Sequence, residues 1–66
     1  MPNDKLFIGE FNVSGQSIIK YTHAPTIRKA FHNFISQIAE LLNIGTAPVY
    51  SMFDGSKDNY YIKEIK

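Results

Sequence analysis

The 66-residue chain contains no cysteine, no tryptophan and no long apolar run. Without cysteine it can form neither a disulfide nor a thiolate metal site, and a reducing compartment suits it. No stretch approaches the roughly 20 apolar residues of a membrane-spanning helix. The N-terminus is polar and lacks a signal-peptide pattern. We therefore expect a cytoplasmic protein that makes no contact with a membrane.

The chain also has very little net charge. Seven Lys and Arg against six Asp and Glu give a formal net charge of +1. A protein that binds nucleic acid or an anionic membrane through phosphate contacts normally carries a clear basic excess. This balance argues against a partner that is recruited mainly by charge.

The chain is short for a stable fold. A domain of about 60 residues buries only about 60% of the surface that its unfolded chain exposes. Small domains therefore often rely on a disulfide, a metal or a partner subunit. We treat residues 1–66 as a single domain, with residues 1–5 as a disordered N-terminal segment. Since disulfides are excluded, idealised packing or oligomerisation remains.

Alternating apolar residues predict four strands. Leu6–Val13 and Ser17–His23 flank turn residues and should form a β-hairpin. Val49–Phe53 and Tyr60–Lys66 flank the polar segment 54–59 and should form a second hairpin. With a helix between the two hairpins, the layout is ββαββ. We expect a small α+β domain with a four-stranded, largely antiparallel sheet and one helix packed on one face.

The helix is the most regular element of the sequence. Thr26 follows a proline and is placed to cap the first turn. From Ile27 onward the apolar residues repeat with the helical period of about 3.6. We expect the helix to end near Asn43 or Ile44, with Gly45 in the left-handed conformation at its C-terminus.

No group of residues predicts catalysis, a cofactor or a metal site. His23 ends a strand, and its distance from His32 fits no metal-ligand spacing. His32 and Ser36 lie side by side on the helix, but neither an orienting acid nor an oxyanion hole accompanies them. Segment 54–59 has oxygen ligands on alternating residues, yet Ile65 stands where a calcium loop needs its bidentate glutamate. We expect a protein that is not an enzyme and binds no cofactor.

The strands are apolar on both faces, whereas one helix can cover only one face of a sheet. The uncovered face would form an apolar patch of several hundred Å², unless a curled sheet or a folded-over tail hides it. One of Ile18 and Ile19 belongs to this patch, and so does one of Tyr60 and Tyr61. The set that we predict to form a protein interface is Leu6, Ile8, Ile19, Tyr50, Met52, Tyr60 and Ile62.

These features favour a protein–protein interaction module that self-associates as a two-fold dimer through the second sheet face. We expect such a module to act as a regulator or inhibitor. The composition, rich in Ile, Asn, Lys, Tyr and Phe, is common in phages and mobile elements and bears only on its provenance. The alternative is a nucleic-acid-binding module that stacks bases on strand tyrosines. The tyrosines available for stacking are Tyr21, Tyr50, Tyr60 and Tyr61, and scattered lysines accompany them.

Overall fold

The computed structural model of the chain describes residues 4–53 and 59–66. These residues form three strands and two helices. The elements are β1 (Lys5–Val13), β2 (Gln16–Ala24), α1 (Ile27–Leu42), α2 (Thr46–Met52) and β3 (Tyr60–Ile65). The three strands make one antiparallel sheet in the order β2-β1-β3. The α+β class is therefore right, but the predicted four-stranded sheet with one helix is wrong.

The predicted hairpin is present as β1 and β2. Val13 pairs with Gln16, so the connection has only two residues, Ser14 and Gly15. Both have positive φ, 52° and 81°, as a type I′ turn requires, and this turn matches the twist of the flanking strands. The short turn fixes the cross-strand register along the whole hairpin.

Helix α1 begins where the sequence predicts and ends close to the predicted Asn43, but its left-handed residue is a different one. The hydroxyl oxygen of Thr26 accepts a hydrogen bond from the backbone N–H of Lys29 at 3.2 Å. Asn43, with φ 58° and ψ 45°, takes the left-handed conformation that we predicted for Gly45. Asparagine is one of the few residues with a side chain that tolerates this region. Gly45 instead has φ −70° and precedes the first turn of α2.

The segment predicted as the third strand is helix α2, and the reason lies in the spacing of its apolar residues. Val49 and Phe53 are both buried. Positions four apart share a face in a helix and also in a strand, so this pair fits both periods. Pro48 does not prevent the helix, because it stands in the first turn, where its missing N–H is not needed. A short apolar run of this length does not separate the two structures.

The core lies between the sheet and the two helices. Among the described residues, ten form it: Phe7, Phe11, Ala24, Ala30, Phe34, Ile35, Ile38, Ala39, Val49 and Phe53. Phe11 is completely buried, and its ring contacts Phe34, Phe53 and Tyr60 with centroid distances of 5.5, 5.0 and 5.4 Å. Gly9 is required here, because a Cβ on it would lie 2.7 Å from Phe11 Cε1 and 2.9 Å from a Phe34 ring atom.

Two predicted segments lie partly outside the description. Of residues 1–5, the structure describes Asp4 and Lys5, and Lys5 already begins β1. The predicted loop 54–59 connects α2 to β3 and not two strands, and its residues 54–58 lie outside the described residues. Neither α1 nor α2 has the length and apolar character needed to cross a membrane.

Candidate protein-interaction surface

The strand registers define a face of the sheet that points away from both helices, here called the outer face. Buried Phe7 and Phe11 mark the opposite, helix-facing side of β1. Alternation along each strand then assigns the remaining residues. The outer face consists of Leu6, Ile8, Glu10 and Asn12 from β1, Ser17, Ile19, Tyr21 and His23 from β2, and Tyr61, Lys63 and Ile65 from β3.

The outer face exposes several large apolar side chains to solvent. Ile19, Tyr21 and Tyr61 are 53%, 57% and 51% exposed, and no described helix contacts them from that side. Leu6 and Ile8 are half-buried between the flanking strands. Single exposed apolar residues are normal, but neighbouring ones that form a contiguous patch mark interaction sites.

Two opposite charges interrupt this apolar face. Glu10 lies on the central strand, beside Ile19 on one side and Tyr61 on the other. Lys63 lies on β3 and pairs with Ile8, so it is the diagonal neighbour of Glu10. Such diagonal neighbours are about 7–8 Å apart and within reach of long side chains. The face therefore carries one acid on its central strand and one base on the neighbouring edge strand.

Glu10 also acts on the tyrosine beside it. Its carboxylate raises the pKa of Tyr61, first by accepting a hydrogen bond from the Tyr61 hydroxyl and then through its negative charge. Smaller contributions to this raised pKa come from partial burial and from Tyr21.

Three of the predicted interface residues meet on the outer face. Leu6, Ile8 and Ile19 occupy neighbouring positions on β1 and β2. Ile18, the alternative to Ile19 in the prediction, pairs with Phe11 on the helix-facing side. The two-residue turn sets this outcome, since it fixes which residues of β2 share a face with Ile8.

The other four predicted interface residues lie elsewhere. Tyr60 and Ile62 pair with Phe11 and Gly9 and pack against the core from the helix-facing side. Tyr50 and Met52 belong to α2 and are also partly buried against the core. The structure therefore does not bring these four residues together with the first three.

Three apolar residues of the outer face are absent from the predicted interface set. They are Tyr21, Tyr61 and Ile65. Tyr21 could have been found, because a two-residue turn pairs it with Ile8. For Tyr61 and Ile65 the sequence held no such signal, since β3 pairs with β1 over a long connection whose register no turn sets.

A second apolar feature lies between the start of α1 and the edge strand β3. This groove has a volume of about 310 Å³ and is lined by Ile27, Arg28, Phe31, Tyr60 and Ile62. Ile27 is 55% exposed, although the helical pattern placed it on the buried stripe. The groove is shallow, and Arg28 contributes a charged side chain to its lining.

The histidines take part in no metal cluster within residues 4–53 and 59–66. His23 ends the outer face of β2, and its backbone carbonyl accepts a hydrogen bond from the Asn33 side chain. His32 lies on α1, where its Nδ1 is 2.5 Å from the hydroxyl of Tyr50 on α2. This contact joins the two helices at the surface.

Comparison with known proteins identifies no relative. No protein-family model matches the chain, no curated protein matches its sequence, and no solved structure matches its fold at a significant level.

Proposed function

We propose that the protein is a non-enzymatic interaction module that self-associates through the outer face as a two-fold dimer. The observation that carries the proposal is the shared exposure of Ile19, Tyr21 and Tyr61 on a sheet whose two described helices pack on the other side. Transferring such side chains from water into an interface is favourable by about 25 cal/mol per Å² of apolar surface. A second copy supplies an equally apolar face without any further gene product.

The size of the outer face sets the expected strength of the dimer. Strands lie about 4.8 Å apart and rise about 3.4 Å per residue, so three strands over seven residues cover about 340 Å². Side-chain relief increases the accessible area, but a standard stable interface buries about 800 Å² per partner. We therefore expect a reversible dimer that dissociates on dilution, and not an obligate one.

The nucleic-acid alternative rests on one observation. Tyr21 and Tyr61 are exposed on the same face, where unpaired bases could stack on their rings. The carboxylate of Glu10 lies on the strand between them, and it would repel the phosphate backbone. The net charge of +1 gives no compensating attraction. These charges favour the protein partner.

The cellular role follows from the same features. A small module without catalytic groups acts by occupying a surface, as a regulator or inhibitor does. We extend the proposal to the cytoplasm, since a chain without cysteine suits a reducing compartment.

A matched pair of substitutions tests the proposal. Ile19→Glu places a charge on the outer face, and Ile27→Glu places the same charge on an equally exposed isoleucine of α1, since the two residues are 53% and 55% exposed. In sedimentation velocity over a concentration series, wild type and Ile27→Glu should form dimers, and Ile19→Glu should remain monomeric. A wild-type chain that is monomeric at millimolar concentration would overturn the proposal. Tyrosine-dependent, salt-sensitive binding of a single-stranded oligonucleotide would replace it with the alternative.

A further inference from the structure

We infer that the dimer is held in one orientation by a reciprocal ion pair, in which Glu10 of each copy faces Lys63 of the other. The inference rests on the proposed self-association. It follows from where the outer face carries its two opposite charges, one on the central strand and one on an edge strand.

Symmetry restricts the ways in which two identical faces can stack. When the two-fold axis runs along β1, each residue of β1 lies opposite itself, and Glu10 meets Glu10 of the second copy. Like charges placed directly opposite each other are destabilising, the more so when water is excluded. This aligned arrangement is therefore disfavoured by a residue at the centre of the face.

A diagonal axis removes the conflict. Consider a two-fold axis that lies parallel to the sheet, passes midway between Glu10 and Lys63 and runs perpendicular to the line joining them. This axis brings Glu10 over Lys63 of the second copy, and the symmetry generates the second, identical pair. With the strand spacings of a regular sheet, the same rotation places Ile19 near Ile65 of the second copy and packs Ile8 and Tyr21 against their counterparts. The strands of the two sheets then cross at a steep angle, in the orthogonal class of sheet packing.

The Glu10 carboxylate can accept the second contact. Hydrogen bonding to Glu10 raises the pKa of Tyr61, and an ionised carboxylate has about four acceptor positions, so others stay open to a second contact. Glu10 lies on the central strand of the sheet, where an ammonium group of the second copy can reach its carboxylate. Lys63 is exposed and has the flexible stem that such a contact needs.

Charge reversal tests the pair directly. In the variant Glu10→Lys both partners of each contact are positive, and in Lys63→Glu both are negative. Each variant alone should dimerise about tenfold or more weakly than wild type. Mixed in equal amounts, the two variants should form a heterodimer with an affinity close to that of wild type, because each contact again joins opposite charges. The double variant Glu10→Lys/Lys63→Glu should also recover.

A second mixture controls for overall charge. Glu40→Lys and Lys29→Glu change the net charge of the chain by the same amounts at exposed positions of α1. They should dimerise like wild type both alone and when mixed. Because Glu10 is half-buried, the milder variants Glu10→Gln and Lys63→Gln should be measured too, and each should weaken the dimer less than its charge reversal. Circular dichroism verifies that every variant is folded.

The outcomes separate this inference from the proposed function. Dimerisation of both reversal variants at wild-type strength would overturn the ion pair and leave the dimer intact. If each reversal variant dimerises weakly and their mixture forms no heterodimer, the inference would also be overturned. An ion pair between Glu10 and Lys63 of the same copy gives that result. A wild-type chain without any dimer would overturn both the pair and the proposed function.

Discussion

The rings of Phe11 and Tyr60 lie parallel on neighbouring strands, with centroids 5.4 Å apart and planes inclined by only 2°. The two residues are direct cross-strand partners in the register of β1 and β3. Tyr60 also contacts Phe31 of α1 and Phe53, at centroid distances of 5.6 and 5.7 Å. One aromatic cluster thus joins the edge strand, the central strand and both helical segments.

Removing the central ring of this cluster should nearly unfold the protein. Phe11→Ala deletes a completely buried side chain, at a typical cost of about 3–5 kcal/mol. At about 0.05–0.15 kcal/mol per residue, a chain of this length has roughly 3–10 kcal/mol of stability. Tyr60→Phe keeps the stacked ring and should change stability by less than about 0.5 kcal/mol. Urea denaturation measures both, and a mild effect of Phe11→Ala would contradict the central position of this ring.

Gly9→Ala should destabilise the fold by overpacking. The added methyl group would lie 2.7 Å from Phe11 Cε1 and 2.9 Å from a Phe34 ring atom, and such strain costs about 1–3 kcal/mol. Phe34→Leu makes room beside Gly9, so the double variant should lose less stability than the sum of the two single losses. Strict additivity in thermal or urea unfolding would show that the methyl group does not meet this ring.

Asn43, and not Gly45, should be sensitive to substitution as the end of α1. Asn43→Gly removes the side chain from a residue that has a left-handed backbone conformation. This substitution should be neutral or stabilise the protein by up to about 1 kcal/mol. Asn43→Val places a β-branched residue there and should cost about 1–2 kcal/mol. If Gly45→Val cost more than Asn43→Val in the same unfolding measurement, the helix end would be misplaced.

Tyr61 should lose its proton at a higher pH than an isolated tyrosine. Glu10 raises the pKa of Tyr61 by accepting its hydrogen bond and by its charge. A raised pKa in the folded state means that the contact stabilises the protein below pH 10, and that this stabilisation is lost as the pH rises through the raised value. In Glu10→Ala the pKa of Tyr61 should fall toward 10. Tyrosine ring shifts followed by NMR report it, and an unchanged pKa would disprove the contact.

The sequence predicts the parts of the fold that local chemistry determines. The hairpin follows from alternation around Ser14 and Gly15, and α1 follows from Thr26 and a stripe of apolar residues. Helix α2 could not be predicted, because Val49 and Phe53 satisfy both periods and nothing local chooses between them. The choice is made by packing, since as a helix the segment places both residues in the core beside Phe11.

Only the part of the outer face that β1 and β2 form was predictable from the sequence. The short turn between β1 and β2 determines that Ile19 lies on the same face as Ile8. Strand β3 is joined by a long connection, so its two faces, Tyr60 with Ile62 and Tyr61 with Ile65, are equally apolar alternatives. Only the register with β1 decides between them, and that register depends on the aromatic cluster in the core.

The docking of a second copy on the outer face is tested most directly by following NMR chemical shifts during dilution. We expect the signals of Ile19, Tyr21 and Tyr61 to change between millimolar and low micromolar concentration, with the mass falling from dimer to monomer. The signals of Ile27 and Leu41, equally exposed on α1, should stay constant. Shifts that are independent of concentration, or that change at Ile27 and Leu41 and not on the outer face, would contradict the proposal.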